Sequence, residues 1–305
     1  MHDHAHSPSP SVHVSVLLQE VVSNLLPQQV SQPLWYLDGT LGGAGHALAI
    51  VNALKGKVNV IGLDRDIHAI QRARQTLAGG TEKLILEVAN FRNLDQVLTK
   101  HGIATENSLD MILLDLGLSS DELDASGKGF TFQKEEPLLM TMGDPAAYAF
   151  TAADIVNTWK ETDIANVIYA YGEETAARRI ARAIVNYRDK KKFETTTELA
   201  DLVRGAVPAM FRKRKIHPAT KTFQALRIAV NDELKAIEQG LDKGYTALKP
   251  GGRMGVISFH SLEDRIVKNF VRDHGSKEKA IKPTHEEIAQ NPRSRSAKLR
   301  IITKA

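Results

Sequence analysis

Three short apolar runs that each end in an aspartate constrain the fold of this chain most. They close on Asp38, Asp64 and Asp115. Apolar runs of four or five residues are typical of strands that are buried on both faces of a parallel sheet. Helical apolar spacing occupies the intervals between them, at 44–54, 66–78 and 94–100. This alternation of strand and helix predicts an α/β, doubly wound sheet of the Rossmann-like type.

The segment that follows the first run is rich in glycine. Residues 38–46 read DGTLGGAGH and stand between a predicted strand and a predicted helix, where α/β sheets bind nucleotide-like ligands. A dinucleotide loop would read G-x-G-x-x-G, but Leu48 stands at the third glycine position after Gly43 and Gly45. Asp38 is also a poor neighbour for a pyrophosphate. It suits the ammonium and sulfonium groups of S-adenosylmethionine (SAM).

The other strand ends extend the same interpretation. Asp64 closes the second strand, where a carboxylate can accept hydrogen bonds from both ribose hydroxyls. A third strand is predicted over 84–88, and Phe91, which follows it, could pack on an adenine ring. Asp115 closes the fourth strand, beside the expected methyl donor. Each signal is weak alone, but together they predict a nucleoside-cofactor site.

The strand pattern stops after Asp115 and resumes late in the chain. Residues 151–169, 173–188 and 195–207 have helical spacing, and a long helix is predicted over 219–248, followed by a fifth strand over 253–259. A closing hairpin is predicted from 279–282 and 298–303. We therefore expect a first part of the α/β domain over 1–118, an inserted all-helical domain over 119–217, and a second part of the α/β domain over 218–305; the resemblance given below implies that these are the methyltransferase domain and a substrate-recognition insert.

Charge is distributed unevenly over the 305 residues, although the net charge is only +4. Residues 1–175 hold 11 Lys and Arg against 22 Asp and Glu, whereas residues 176–305 hold 29 against 14. This asymmetry indicates a polyanionic partner. The basic groups concentrate at Arg178, Arg179, Arg182, Arg188, Lys190–Lys192, Arg212–Lys215, Arg293, Arg295 and Arg300.

The sequence also limits the class of protein. It has no cysteine, which excludes disulfides, thiolate metal sites and a cysteine nucleophile. No apolar run approaches the roughly 18 residues of a membrane span, and no signal-peptide core is visible, so we expect a cytoplasmic protein without a membrane partner. No metal site is predicted, and nothing in the sequence indicates an oligomeric state.

The same segments carry a family resemblance. The chain resembles the bacterial 16S rRNA (cytosine-N4) methyltransferase family (RsmH/MraW) in motifs that run nearly end to end. These are HVSVLLQE at 13–20, the 38–46 loop, GLDRD at 62–66, DLGLSS at 115–120, YGEE at 171–174, HPATKTFQALRI at 217–228, SFHSLEDR at 258–265 and NPRSRSAKLR at 291–300.

The resemblance implies a SAM-dependent methyltransferase whose substrate is a cytidine in the decoding centre of 16S rRNA in the small ribosomal subunit. It implies that the cofactor-contact positions are Ala44, Gly45, His46, Asp64, Phe91, Asp115 and Glu122. The chain departs from the family pattern at Ala44, Glu122, Lys128, Leu139 and Thr141. Alanine at position 44 is expected to narrow the approach to the cofactor or to demand a negative φ. Replacement of an aspartate at 139 and an arginine at 141 suggests a lost ion pair.

The absence of cysteine separates two cytosine chemistries. Methylation of a ring carbon needs a cysteine that attacks the ring, whereas the exocyclic amine can be methylated by direct in-line transfer. The candidate acceptors for the amine hydrogens are the Asp115 carboxylate and the backbone carbonyls of Leu116 and Gly117. His260 follows the fifth strand and is either a substrate contact or proton acceptor, or part of a helix cap. Glu263 and Asp264 are expected to form helix-surface pairs with Arg265 and Lys268.

Two other classes of protein are weighed against this interpretation. An NAD(P)-dependent oxidoreductase is disfavoured by the missing third glycine and by the absence of a catalytic tyrosine–lysine pattern. A non-enzymatic RNA-binding or assembly protein that keeps the fold remains an alternative, because Leu139 and Thr141 replace charged family residues.

Overall fold

The computed structural model describes residues 15–118, 123, 126–212, 216–275 and 279–305. The described residues form one mixed sheet whose strands are β1 (Leu34–Asp38), β2 (Val58–Asp64), β3 (Lys83–Val88), β4 (Leu109–Asp115), β5 (Leu248–Ser258) and β6 (Lys298–Thr303). Their order is β3-β2-β1-β4-β5-β6, with β6 antiparallel to β5 and all other neighbours parallel. The predicted α/β doubly wound sheet is confirmed.

The carboxyl ends of the central strands meet at one edge of this sheet. β1 lies between β2 and β4, and Asp38 is in register with Gly62 on one side and Leu113 on the other. The order of the strands along the chain therefore reverses at β1, which makes this edge the topological switch point where α/β sheets bind ligands. Asp38, Asp64 and Asp115 are the last residues of their strands, as predicted.

Helices cover both faces of the sheet because its strands are apolar on both sides. On one face lie α1 (Leu18–Leu25), α2 (Gly45–Ala53) and α3 (Ile67–Thr76). On the other lie α4 (Leu94–Lys100), α11 (Glu233–Ala247) and α12 (Ser261–Asp273). Near the end of the chain, α13 (His285–Gln290) contacts the start of α1, because the Glu287 carboxylate accepts a hydrogen bond from the Leu17 amide at 2.7 Å. The Asp66 carboxylate accepts a hydrogen bond from the His68 amide and begins α3, as a helix N-cap should.

A separate helical layer follows β4. It contains α5 (Ala152–Thr158), α6 (Glu161–Gly172), α7 (Ala177–Arg188), α8 (Thr196–Ala206), α9 (Ala209–Arg212) and α10 (Thr220–Asn231). Capping boxes begin two of these helices, with Thr151 and Asp154 at α5 and Thr195 and Glu198 at α8. The layer has a hydrophobic cluster of its own, which includes Phe223 of α10. The domain limits given above stay a prediction.

Three predicted elements differ in the structure. The 219–248 helix is divided at Asp232, which adopts φ 48°. The break is stabilised because the side-chain amide of Asn231 donates a hydrogen bond to the Met140 carbonyl. The 151–169 segment forms two helices that are separated by an extended Trp159. Residues 279–282 contribute a single bridge, Ile281 to Leu299, while β6 pairs with β5 instead of forming a hairpin.

Among the described residues, none of the helices combines the length and the apolar character that crossing a bilayer would require.

Candidate active site

The loop after β1 is fixed across three strand ends. The Gly39 amide donates to the Leu113 carbonyl at 2.9 Å, and the Leu41 amide donates to the Leu63 carbonyl at 2.9 Å. The Thr40 hydroxyl accepts a hydrogen bond from the Asp115 amide at 2.6 Å. A Cβ at Gly39 would lie 2.5 Å from Leu114 Cδ2, so only glycine fits where the loop crosses β4. These contacts bring the loop and the ends of β2 and β4 together.

The Asp64 carboxylate faces this loop. Its oxygens accept hydrogen bonds from the Gly42 amide at 2.8 Å and from the Asp66 amide at 2.9 Å. Burial raises its pKa, although these backbone donors counteract the effect. Because each carboxylate oxygen has two acceptor positions, Asp64 can also accept hydrogen bonds from ligand hydroxyls.

Asp38 is the most enclosed of the three carboxylates, with 2% of its surface exposed. Its oxygens accept hydrogen bonds from the Tyr36 hydroxyl at 3.0 Å and from the Thr40 amide at 3.1 Å. Burial raises its pKa to about 6, and the charge of Asp64 contributes in the same direction. The folded protein therefore holds this carboxylate at a site that opposes its ionisation.

Replacing Asp38 with asparagine is expected to stabilise the protein without ligand. A folded-state pKa of about 6, against an ordinary 3.8, destabilises the folded state by about 3 kcal/mol once pH exceeds both values. The Asp38→Asn variant should therefore have a higher free energy of unfolding at pH 8, and the difference should disappear below about pH 4. Urea denaturation at both pH values measures this, and equal stability at pH 8 would contradict it.

Asp115 and His46 face each other at the end of β4. His46 is 6% exposed, and its Nε2 lies 2.9 Å from the Val16 carbonyl. Because a carbonyl only accepts, Nε2 is the donor, and the Nδ1 atom lies 3.7 Å from Asp115 Oδ2. Burial, followed by the charges of Asp38 and Glu263, raises the Asp115 pKa well above its ordinary range. Asp115 Oδ1 is buried and has no hydrogen-bond partner in the described part of the chain.

These three carboxylates make the site suitable for a cationic ligand. Burial is the main cause of their raised pKa values and repulsion by neighbouring carboxylates adds to it, so a nearby positive charge would counteract the rise. A Cβ at Gly43 would meet no atom within 4 Å, so the loop is open on that side. SAM carries an ammonium, a sulfonium and ribose hydroxyls, and the residues present fit that group.

Ala44 departs from one of our expectations. Its φ is 61°, so the methyl group does not force a negative φ. The side chain is fully buried in the hydrophobic cluster that α2 and α3 share, and this packing holds a left-handed conformation that costs an alanine about 1–2 kcal/mol. The next residue, Gly45, lies against Ser15, whose hydroxyl would be 2.2 Å from a Cβ there.

Two further predicted cofactor contacts have different outcomes. Phe91 lies beside Gly39 and packs its ring against Gly240 of α11, where a Cβ would lie 2.4 Å from the ring. The ring is half-buried at the switch point, and its contact with adenine stays a prediction. Glu122 lies outside the described residues.

His260 belongs to a capping network at the start of α12. Its Nδ1 accepts a hydrogen bond from the Glu263 amide at 3.4 Å, and the Glu263 carboxylate accepts one from the Phe259 amide at 2.8 Å. His260 Nε2 also lies 3.0 Å from Glu263 Oε1. Although burial opposes ionisation, the hydrogen bond and charge of His260 and the charge of Arg227 hold the Glu263 pKa below its ordinary range. The structure thus gives His260 the capping role, and its substrate contact stays a prediction.

Glu233, His260 and Glu263 are the one group among the described residues whose ligand atoms lie close enough to hold a metal ion. The Arg227 guanidinium already donates two hydrogen bonds, of 2.9 and 2.8 Å, to the Glu233 carboxylate. Its guanidinium also lies 4.0 Å from the Glu263 carboxylate. Because this cation supplies the charge that a metal would otherwise supply, the cluster is a buried ion-pair network.

The predicted helix-surface pairs of α12 are not formed. Asp264 pairs with Lys298 at 2.6 Å and Arg300 at 2.9 Å on β6. Arg265 pairs with Glu173 at 2.8 Å, at the end of α6. Helical spacing predicts neighbours on the same helix, but Asp264 and Arg265 pair with other elements, and Glu263 accepts hydrogen bonds from the amides at the start of α12.

The basic residues expected to bind a polyanion separate into two groups. Arg178, Arg179 and Arg182 on α7 are exposed, as are Lys190–Lys192, Arg293 and Arg295. Arg300 is 11% exposed and paired, and the guanidinium groups of Arg188 and Arg212 bond to backbone carbonyls. Arg300 is therefore a structural residue, contrary to our expectation, while Lys213–Lys215 lie outside the described residues.

Sequence analysis did not single out Arg227, Glu233, Arg65 or Tyr148 as residues of the site. Arg227 is part of the 217–228 motif, and that motif was the available signal. Arg65 is likewise part of the 62–66 motif, whereas Glu233 and Tyr148 are recognised only from their contacts.

The chain is similar to known proteins over most of its length. A family model described as "MraW methylase family" matches residues 10–278. The chain is 46% identical to "Ribosomal RNA small subunit methyltransferase H" of Synechococcus elongatus over 298 residues, which cover 96% of this chain and 95% of that protein. It is 43% identical to the protein of the same name from Heliobacterium mobile over 314 residues, covering 96% and 98%.

Solved structures that align with this chain have much lower sequence identity to it. A SAM-dependent O-methyltransferase of Thermotoga maritima aligns with a TM-score of 0.38 and 10% identity, covering 95% of this chain and 72% of that chain. A methyltransferase homolog protein from Pyrococcus horikoshii aligns with a TM-score of 0.42 and 12% identity, covering 94% and 66%.

Proposed function

The chain belongs to the MraW methylase family and is a SAM-dependent methyltransferase, and from this we propose that it methylates the exocyclic N4 amine of a cytidine in the decoding centre of 16S rRNA. The substrate would be 16S rRNA, free or within the small ribosomal subunit in the cytoplasm. The observation that carries the proposal is the buried Asp115 carboxylate at the switch point, with one oxygen left without a partner in the described part of the chain.

The cofactor would be held by the loop and the strand ends. Asp64 would accept hydrogen bonds from the ribose hydroxyls, and Asp38 and Asp115 would face the positive charges. Gly45 and His46 would line the approach from α2, Phe91 would contact the base, and Ala44 and Glu122 are assigned contacts by the family pattern alone. When bound, SAM supplies an electrophilic methyl group.

The residues after β4 would position the target amine. The Leu116 amide donates to the Ile257 carbonyl at 2.9 Å, which holds this segment against β5. Gly117 adopts φ 116° beside the Phe259 ring, where a Cβ would lie 3.1 Å from that ring. The Asp115 carboxylate and the Leu116 and Gly117 carbonyls would accept the amine hydrogens and orient the nitrogen lone pair. No covalent enzyme intermediate is proposed, because the chain has no cysteine to form one.

The exposed arginines of α7 would contact the phosphates of the RNA. Phosphate contacts fix orientation without reading sequence, and they release bound counterions. We expect the affinity for 16S rRNA to fall at least about tenfold between 50 and 200 mM salt. Fluorescence anisotropy over a salt series measures this, with Arg178→Ala/Arg179→Ala as the variant that should reduce the slope. An affinity that is the same at both salt concentrations would refute this role.

The decisive test is methyl transfer from labelled SAM to small subunits that lack the modification, and in parallel to free 16S rRNA. Nucleoside digestion and mass spectrometry should identify N4-methylcytidine. A methyl group on the ring carbon, or on another nucleoside, would contradict the proposal. RNA binding with no transfer to either substrate would instead favour the non-enzymatic assembly protein.

A further inference from the structure

The segment Met140–Tyr148, which precedes the helical layer in the chain, reaches the turn after β2. Arg65, the residue after Asp64, donates a hydrogen bond to the Tyr148 hydroxyl and lies 5.4 Å from the centre of that ring. The same guanidinium lies 3.4 Å from the Met142 sulfur. The Tyr148 hydroxyl also accepts a hydrogen bond from the Gly143 amide at 3.0 Å. Tyr148 therefore joins its own segment to Arg65.

The Met140–Tyr148 segment is also held to the helical layer. Met142 and Tyr148 pack against the hydrophobic cluster of that layer. The Asn231 side chain donates to the Met140 carbonyl at 2.7 Å and accepts from the Met142 amide at 3.0 Å. Lys128 donates to the Gly143 carbonyl at 3.0 Å. A movement of the helical layer would therefore move the partner of Arg65.

The contact continues from Arg65 into the carboxylate that faces the loop. The Asp66 amide bonds to Asp64 Oδ1 at 2.9 Å, and the Arg65 backbone also stabilises this carboxylate. The backbone of Arg65 and Asp66 thus sets the position of the Asp64 oxygens. One continuous set of contacts runs from Asp64 through Arg65 and Tyr148 to the helical layer, and such a set can transmit coupling between two ligands.

We propose that Arg65 and Tyr148 are positioning residues that couple cofactor binding at Asp64 to RNA binding by the inserted layer. This inference rests on the proposed function, because it takes Asp64 as a cofactor contact and the helical layer as an RNA contact. A ligand on Asp64 favours one position of the Arg65 turn, and Tyr148 transmits that preference to the surface that holds RNA. By linkage, RNA strengthens cofactor binding by the same factor.

The experiment measures the dissociation constant for 16S rRNA with and without saturating S-adenosylhomocysteine, which binds without turnover. For the wild-type protein we expect affinity to be at least about fivefold higher with this ligand. In the Tyr148→Phe variant, which keeps the ring and removes the hydroxyl, the ratio should fall below about twofold. Arg65→Gln should lower the ratio to the same value as Tyr148→Phe does, and the double variant should lower it no further.

Tyr169→Phe is the matched control. Tyr169 lies on α6 of the helical layer and is 66% exposed. The substitution removes a tyrosine hydroxyl from the same layer, so the affinity ratio of the Tyr169→Phe variant should equal that of the wild-type protein. A merely structural effect of Tyr148 would weaken RNA binding equally with and without the ligand. A wild-type ratio near one, or a Tyr148→Phe ratio equal to that of the wild type, would overturn the inference.

An Asp64→Ala arm separates this inference from the proposed function. If Asp64→Ala binds S-adenosylhomocysteine as the wild-type protein does, the assigned cofactor site is wrong. If Asp64→Ala loses that affinity while Tyr148→Phe keeps the wild-type ratio, the site stands and only the coupling is wrong.

Discussion

Replacing Asp115 with alanine should lower kcat for methyl transfer at least about 100-fold while the protein remains folded. The carboxylate lies at the end of β4, its backbone amide is fixed by Thr40, and its Oδ1 atom has no partner within the described ranges. Removing it takes away an acceptor for the amine hydrogens and a negative charge beside the cationic cofactor. Single-turnover transfer at saturating SAM and RNA measures the effect.

Asp115→Asn separates these two contributions. Asparagine keeps one oxygen that can accept an N–H but has no charge. If orientation of the amine dominates, the asparagine variant should retain much more kcat than the alanine variant. If the charge dominates, both variants should lose more affinity for SAM than for S-adenosylhomocysteine, which lacks the sulfonium, when each is compared with the wild-type protein. Near-normal turnover by a folded Asp115→Ala variant would exclude both roles.

Replacing Glu263 with alanine should lower the free energy of unfolding by about 3–5 kcal/mol. Only 1% of this side chain is exposed, and its carboxylate accepts hydrogen bonds from the Phe259 and His260 amides. The substitution leaves those buried donors without an acceptor and removes a negative charge from the network that contains Arg227. Chemical denaturation monitored by circular dichroism measures the change.

Two variants make this second result specific. Glu263→Gln keeps an oxygen for the amides and loses the charge, so it should be destabilised by less than Glu263→Ala. Glu161→Ala removes an exposed partner of Arg182 and should change stability by no more than about 1 kcal/mol. An equal loss in Glu161→Ala and Glu263→Ala would contradict the importance of burial.

The pH dependence of the Glu263 contribution has a definite sign. Its pKa is lowered in the folded protein, so ionisation stabilises the fold above the ordinary glutamate range. That contribution should be lost as pH falls through the folded-state value. Asp38 behaves in the opposite way, because its raised pKa makes its ionisation unfavourable to folding.

Local patterns were sufficient wherever a feature depends on consecutive residues. The strands that end at Asp38, Asp64 and Asp115 were predicted because each is a short apolar run closed by an acid. The absence of cysteine argued against ring-carbon chemistry without any structure. The single helix predicted over 219–248 was wrong at Asp232, because the break depends on Asn231 bonding to residues some 90 positions earlier.

The sequence alone determined the ends of the first four strands, the glycine loop and the acids at those ends, because strand ends and turns follow from residues adjacent in the chain. Only the tertiary structure decided the partners of charged side chains. Asp264 pairs with β6, Glu263 joins the Arg227 network, and Arg65 meets Tyr148 across more than 80 positions. Long charged side chains can reach many neighbours, so helical spacing does not fix their partners; the packing of elements that are distant in the chain does.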